Sequence, residues 1–176
     1  MRLLATLWMA SLIAGVPAST VQAVVLQDIY DTALPGEGYD KLVVLDPNVT
    51  YTGGLTVDRG LRSCIHGGGA RIDLENNSLW AAGSGTLLDI DHCILTGGYS
   101  ALYIAQDAAA TVRNNTIVGN GYGVISWLAN TNVIIENNII VNNVVYGVYC
   151  REYFEPFLRY NTVWGNIQGN YIKNCG

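Results

Sequence analysis

A repeat of about 23 residues runs through the second half of the chain. Three segments align without gaps and a fourth follows them: IDHCILTGG (90–98), VRNNTIVGN (112–120), IENNIIVNN (135–143) and LRYNTVWGN (158–166). Each copy holds short β-branched runs that are broken by Gly and Asn, a pattern typical of strands and turns. Because so short a unit cannot bury an apolar face alone, the copies must stack on one another to form a core.

Three sets of apolar residues recur at equivalent positions of these copies. The sets are Ile90, Val112, Ile135 and Leu158; Leu95, Ile117, Ile140 and Val163; and Leu102, Val124 and Val148. Three apolar strands per repeat are more than one hairpin offers, and no segment shows sustained helical periodicity. The pattern therefore predicts an all-β solenoid, in which coils of three strands stack at roughly 4.8 Å.

One further repeat position carries polar residues, namely Asn115, Asn138 and Asn161. Equal positions stack in a solenoid, so each Asn side chain is expected to hydrogen-bond to the next as a structural ladder. Turn-forming Asn residues without a ladder are the alternative. The same repeat position holds Cys93. It also holds Cys64 if SCIHGG (63–68) is a weaker copy of the repeat, which requires the segment 75–85 to be an insertion.

The N-terminal segment 1–23 has the features of a secretory signal peptide. Arg2 precedes an apolar run from 3 to 16, and Val21-Gln22-Ala23 supplies small residues at the −3 and −1 positions. A retained N-terminal anchor is the alternative. With cleavage, the domain 24–176 is secreted or periplasmic and has no membrane span, and it carries eight Lys and Arg against fourteen Asp and Glu. This acidic balance argues against nucleic acid as a partner.

The NNTIVGN-type repeats resemble those of the right-handed parallel β-helix proteins of the pectin-lyase-like superfamily. The entry segment 27–57 also resembles the opening of that group, in which a short capping helix leads into the first coil. The resemblance covers about 27–174 and implies a right-handed parallel β-helix of about six coils with a short N-terminal capping helix. This superfamily includes lyases, hydrolases, esterases, epimerases, adhesins and proteins with no known chemistry, so the resemblance is specific for the fold only.

The four cysteines lie in a chain that is predicted to be exported, where an even count suggests disulfides. If Cys64 and Cys93 hold equivalent positions in successive coils, their Cα atoms fall within the range that a disulfide accepts. Cys150 and Cys175 are 25 residues apart, which is about one coil. We therefore predict the bonds Cys64–Cys93 and Cys150–Cys175, with free buried thiols at Cys64 and Cys93 as the alternative.

A candidate ligand-binding surface follows the third apolar column. Tyr103 and Tyr149 come directly after inward-facing residues and so point outward, and Trp127, Arg151 and Tyr153 lie just beyond. Flat aromatic rings pack well on the weakly polar faces of sugar rings. The alternative is that Tyr and Trp are simply favourable exposed residues in strands.

Charged residues could supply acid–base chemistry on an acidic polysaccharide, and the weak catalytic candidates are Asp107, Arg113 and Arg151. Another interpretation applies to the aligned residues Asp91, Arg113, Glu136 and Arg159, whose alternating signs are typical of stabilising pairs between neighbouring strands. Asp89 and Asp91 fall short of the oxygen ligands that calcium requires. No metal site and no cofactor are therefore predicted, with calcium as the alternative. His66 is placed in a Gly-rich turn.

These observations favour a non-catalytic β-helix that binds a carbohydrate, or another surface, along its aromatic face. A polysaccharide is thus the expected partner. A polysaccharide lyase or glycoside hydrolase of the pectin-lyase-like type is the first alternative. A structural solenoid that associates end to end is the second, because stacked coils expose strand edges at their ends.

Overall fold

The computed structural model describes residues 23–128, 132–151, 156–172 and 175. Within these ranges the chain forms one helix, α1 (Leu26–Thr32), and nineteen short strands. The strands are β1 (Val24–Val25), β2 (Lys41–Val44), β3 (Thr50–Thr52), β4 (Leu55–Val57), β5 (Arg62–His66), β6 (Arg71–Asp73), β7 (Leu79–Ala82), β8 (Leu87–Asp91), β9 (Ile94–Thr96), β10 (Ser100–Ala105), β11 (Ala109–Arg113), β12 (Thr116–Val118), β13 (Tyr122–Trp127), β14 (Val133–Glu136), β15 (Ile139–Val141), β16 (Tyr146–Arg151), β17 (Phe157–Arg159), β18 (Thr162–Trp164) and β19 (Gly169–Tyr171).

The strands form three parallel sheets that wind around a single core. Sheet 1 has the order β1-β3-β6-β9-β12-β15-β18, sheet 2 the order β2-β5-β8-β11-β14-β17, and sheet 3 the order β4-β7-β10-β13-β16-β19. From β2 onward each coil takes one strand from sheet 2, then sheet 1, then sheet 3, which makes six coils. The predicted right-handed parallel β-helix of about six coils is confirmed.

The predicted N-terminal helix is present as α1. Its residues Leu26 and Tyr30 are buried in the hydrophobic core, and the Tyr30 hydroxyl lies 2.8 Å from Ser63 Oγ in the second coil. The helix therefore covers the first coil, where inward-facing side chains would otherwise meet water. The predicted signal peptide remains a prediction, because residues 1–22 lie outside the described residues.

The predicted apolar columns form the core. Ile90 pairs with Val112, Val112 with Ile135 and Ile135 with Leu158, and the other two columns stack in the same way. Except for the half-buried Leu158 and Val163 of the last coil, the residues of these columns are almost fully buried. These stacked columns thus form a continuous core along the axis.

Two asparagine ladders line two of the three turns in the last three coils. Asn115 Nδ2 donates to Asn138 Oδ1 at 3.2 Å, and Asn138 Nδ2 donates to Asn161 Oδ1 at 3.0 Å, as the repeat predicts. A second ladder was missed by the sequence analysis, although the last residue of three of the four aligned copies is the Asn that forms it. In it Asn120 donates to Asn143 at 3.2 Å and Asn143 donates to Asn166 at 2.8 Å.

The predicted position of Cys64 is wrong, and with it the Cys64–Cys93 disulfide. Strand β5 pairs Ile65 with Ile90 and Cys64 with Asp89, because burying the larger apolar Ile65 puts Cys64 on the opposite side of the strand. Cys93 does hold the ladder position, where its backbone N donates to Asn115 Oδ1. Both Cys64 and Cys93 are buried free thiols. The Cys150–Cys175 disulfide is confirmed, with a Cα–Cα distance of 5.5 Å.

Close packing between coils leads to a stability prediction at Gly123. A Cβ atom there would overlap the carbonyl oxygen of Gly147 in the next coil and would lie 2.6 Å from Ile140 Cγ2. Because backbone cannot move aside cheaply, Gly123→Ala should lower the free energy of unfolding by about 2 kcal/mol. Urea denaturation measures this change, with the exposed Thr162→Ala as control. Equal midpoints for the Gly123→Ala protein and the wild type would contradict the prediction.

Candidate functional site

The outer face of sheet 3 carries a row of aromatic side chains. Trp80 on β7 pairs with Tyr103 on β10, and these residues alternate with the buried Leu79 and Leu102. The ring centroids of Trp80 and Tyr103 are 5.7 Å apart, and those of Tyr103 and Trp127 are 6.2 Å apart. Three neighbouring coils thus each contribute one ring to this row, with Trp80 and Tyr103 in register and Trp127 two residues further along, opposite Ala105.

These three rings line an open groove with a volume of about 840 Å³. Asn76, Asn77, Ser78 and Gln106 supply amide and hydroxyl groups around it, and Gln27 of α1 reaches it from the N-terminal end. None of the described residues that line the groove is charged. Trp80 remains 44% exposed, so its ring is accessible to a ligand. The groove thus combines aromatic faces with neutral hydrogen-bonding groups.

A second set of aromatic residues extends this face along the solenoid. Tyr99 and Tyr122 have ring centroids 5.6 Å apart, and Tyr122 and Tyr146 have centroids 6.4 Å apart. Tyr149 contacts both Tyr122 and Tyr146, at 5.6 and 5.7 Å. Burial raises the pKa of the Tyr122 hydroxyl, so this group is neutral and can donate a hydrogen bond. The aromatic face therefore spans the coils that contain β7, β10, β13 and β16.

The structure brings together four of the five predicted ligand-binding residues. Tyr103, Trp127, Tyr149 and Arg151 line one small cavity on sheet 3, and the Arg151 guanidinium lies 4.9 Å from the centre of the Trp127 ring. Tyr153 lies outside the described residues.

Sequence reasoning missed Trp80, Tyr99, Tyr122 and Tyr146. Trp80 follows the inward Leu79 as Tyr103 follows Leu102, but segment 75–85 was interpreted as an insertion and in fact contains strand β7. The three tyrosines recur near the start of successive strands, which was the signal that could have found them.

The weak catalytic candidates do not share a face. Arg113 ends β11 in sheet 2, Arg151 ends β16 in sheet 3, and Asp107 lies in the turn between β10 and β11. Arg113 is paired in register with Asp91 on one side and Glu136 on the other. Arg159 extends this column and donates from Nε to the Glu136 carboxylate. This placement matches cross-strand pairing of opposite charges.

A cluster of thiol, imidazole and carboxylate groups lies on the outer side of sheet 2. His66 is the last residue of β5 rather than part of a turn, and its Nε2 atom lies 3.6 Å from Cys64 Sγ. His66 Nδ1 donates to Asp91 Oδ2 at 2.8 Å, and the Nε2 atom lies 3.3 Å from Glu37 Oε2. Burial alone would lower the pKa of His66, but the hydrogen bonds to Asp91 and Glu37 outweigh it and raise the pKa.

The segment that precedes β2 covers this cluster. The Tyr39 hydroxyl donates to Asp89 Oδ2, and the backbone N of Arg62 donates to Asp40 Oδ2 at 2.8 Å. Under this cover, burial together with the charges of Asp89, Asp91 and Glu37 raises the pKa of Cys64 to about 12, against the opposing charge of Arg113. Asp89 Oδ1 is buried and has no hydrogen-bond partner among the described residues. The cluster thus holds a protonated thiol in a strongly negative surrounding.

Two features of the described ranges concern membranes and metals. Over those ranges no helix has both the length and the apolar character to cross a membrane. No group of three or more His, Cys, Asp and Glu side chains in them is arranged to hold a metal ion.

Comparison with known proteins identifies a family. The protein-family model described as "Periplasmic copper-binding protein (NosD)" matches residues 50–176, from β3 to the end of the chain. The comparisons with curated proteins and with solved structures gave no match. The periplasmic family agrees with the predicted secreted or periplasmic localisation. With more than half of its length matched, the chain belongs to the NosD family of periplasmic β-helix proteins.

Proposed function

We propose that this periplasmic β-helix protein binds a polysaccharide without catalysis, in the groove on sheet 3. The observation that carries the proposal is the row of Trp80, Tyr103 and Trp127, whose ring centroids are 5.7 and 6.2 Å apart along the groove. Successive coils of a β-helix stack at roughly 4.8 Å, a distance comparable to one sugar unit. A glycan that lies parallel to the solenoid axis could therefore place one sugar on the ring of each coil.

The polar groups around the groove favour a neutral glycan. Asn76, Asn77 and Gln106 can both donate to and accept from sugar hydroxyls through their side-chain amides. No described residue of the groove offers a cation to a carboxylate or sulfate, and the chain carries a net charge of −5. A polyanionic polymer would therefore be repelled unless cations bridged it to the protein.

Trp80→Ala tests the proposal. Removing an exposed ring from one end of the row should weaken binding of a neutral polysaccharide about tenfold, which is the loss of one stacking contact. Because Trp80 is 44% exposed, the melting temperature should change little. Affinity electrophoresis of the mature protein against neutral and acidic polysaccharides, with product ends assayed in parallel, measures binding and turnover together.

Trp164→Ala is the matched control for this experiment. Trp164 is also an exposed strand tryptophan, at 68%, but it lies on β18 of sheet 1 and does not line the groove. We expect its replacement to leave retention unchanged. Equal losses for both variants would contradict the groove as the binding site, and new product ends would contradict a non-catalytic role.

A second candidate function is copper binding, which the family description suggests. The described residues provide no group of three or more ligands, so they do not match a site with several N and O ligands, as copper(II) prefers. The observation that favours copper is the free thiol of Cys64 beside the imidazole of His66. A thiolate is a soft ligand and selects copper(I) over harder ions. We therefore propose that the chain binds copper(I) as a second function.

A further inference from the structure

We infer that the groove on sheet 3 holds the end of a glycan chain, with the terminal sugar against Trp127, rather than an internal segment of the chain. This inference rests on the proposed polysaccharide binding and narrows the ligand to chain ends and short oligosaccharides. The supporting observation is a change in side-chain size along the outer face of sheet 3.

Two stacked columns of side chains form this outer face. The first column contains the rings of Trp80 and Tyr103, which pair in register on β7 and β10. The second column lies two residues further along each strand and runs from β7 to β16 through Ala82, Ala105, Trp127 and Arg151. Between β10 and β13 this second column therefore changes from small side chains to large ones.

The groove ends where the large side chains begin. Ala105 lines the groove, and Trp127, its partner on the next strand, lines it as well. The described residues of the lining belong to β1, α1 and the first four coils, and none belongs to β16 in the fifth coil. The groove thus runs from α1 to β13, where Trp127 forms its end wall.

Contacts on both sides hold the Trp127 ring in place. Its plane makes an angle of 63° with the ring of Tyr103, so it is steeply inclined to that ring rather than a continuation of its face. Towards the next coil, the Arg151 guanidinium lies 4.9 Å from the centre of the Trp127 ring, and the two residues pair in register. Because a cation is attracted to an aromatic face, Arg151 supports the end wall from behind.

Beyond Trp127 the face holds only a small cavity. Tyr149 and Arg151 line it together with Tyr103 and Trp127, so the last two rings separate it from the groove. Its volume is about 140 Å³, against about 840 Å³ for the groove. A glycan that lies in the groove therefore meets Trp127 and cannot continue along the face in the same line.

A chain end fits this arrangement. A terminal sugar can place its weakly polar face on the Tyr103 ring and its edge against Trp127, while the preceding sugars pass Trp80 towards α1. An internal segment has to rise over Trp127 to leave the groove, and it then loses contact with the row of rings. Because the two ends of a linear polysaccharide differ chemically, such a groove binds one protein molecule per chain.

The number of protein molecules bound per polysaccharide chain tests the inference. The mature wild-type protein is titrated by calorimetry with pullulan, amylose and a linear β-1,3-glucan, each as a short and a severalfold longer size fraction. We expect one protein molecule per chain for both lengths of any polysaccharide that binds, with the same affinity per chain. Recognition of internal segments would instead give a number per chain that rises in proportion to length.

Trp127→Ala removes the end wall and should change this stoichiometry. We expect several protein molecules on each long chain, while the affinity per site falls about tenfold because one stacking contact is lost. Trp164→Ala is the matched control, since Trp164 is an exposed tryptophan on β18 of sheet 1, and it should keep one molecule per chain. Thermal melting shows whether each variant is folded.

The outcomes distinguish this inference from the proposed function. A wild-type stoichiometry that rises with chain length would overturn chain-end recognition and leave polysaccharide binding in place. A protein that binds none of the polysaccharides would overturn both. Folded Trp127→Ala protein that still binds one molecule per long chain would overturn the end wall and the inference with it. The wild-type stoichiometry decides the matter even if Trp127→Ala does not fold.

Discussion

Replacing Asn138 by Ala is expected to lower the free energy of unfolding by about 4 kcal/mol, because two buried backbone groups lose their partners. Asn138 Oδ1 accepts from the backbone N of Asn115 at 2.9 Å, and Asn138 Nδ2 donates to the Val112 carbonyl at 2.8 Å. Asn138 lies in the turn between sheets 2 and 1, where it is 1% exposed and water cannot replace its side chain. Each orphaned group costs roughly 1–3 kcal/mol.

The ladder also predicts that the stability cost of replacing an Asn by Ala decreases toward the C-terminal end of the solenoid. Asn161 is the last member of this ladder, is only partly buried, and accepts from the backbone N of Asn138. Asn161→Ala should therefore cost less than Asn138→Ala, since water can reach the groups that it leaves unpaired. Chemical denaturation followed by circular dichroism gives both values. The exposed neighbour Ile139, changed to Thr, is the control and should shift stability by less than about 0.5 kcal/mol.

A melting curve for Asn138→Ala that overlays the wild type would show that the ladder does not contribute to stability. A larger loss for Asn161→Ala than for Asn138→Ala would also contradict the account, because it would reverse the order of burial.

Removing the Cys150–Cys175 disulfide is expected to cost about 3 kcal/mol, the second-largest effect. The bond closes a loop with a sequence separation of 25, and opening it restores chain entropy to the unfolded state. In the folded state it holds the segment after β19 against β16, where Cys175 is 4% exposed. The double variant Cys150→Ala and Cys175→Ala should therefore lower the melting temperature by roughly 10 °C.

Reduction of the wild-type protein provides an internal check on this prediction. Cys64 and Cys93 are already free thiols, so a reducing agent acts on the Cys150–Cys175 bond alone. It should lower the melting temperature of the wild type and leave the double variant unchanged. Because repeat proteins unfold in part from their ends, hydrogen exchange should show the loss in β16–β19 first. A wild-type melting temperature that is insensitive to reduction would contradict the prediction.

The sequence by itself determined the fold from β8 onward. A solenoid coil repeats at a fixed chain length, so its inward residues, such as Ile90, Val112 and Ile135, recur at intervals that can be counted without coordinates. The same holds for Asn115, Asn138 and Asn161, because each occupies one turn position and contacts its own equivalent in the next coil. In this part of the chain, residues at the same repeat position contact one another in successive coils. The sequence period is therefore enough to predict these contacts.

Only the tertiary structure decided the first coils and both candidate sites. The turn between β5 and β6 is longer than that between β8 and β9, so counting placed Cys64 at the ladder, whereas burial of Ile65 put it opposite Asp89. The groove depends on β7, whose Trp80 packs against Tyr103 of the next coil, which in turn packs against Trp127 of the coil after it. The thiol and imidazole cluster depends on a segment before β2 that has no counterpart in the repeat. Such contacts join unequal positions of the chain, and periodicity carries no information about them.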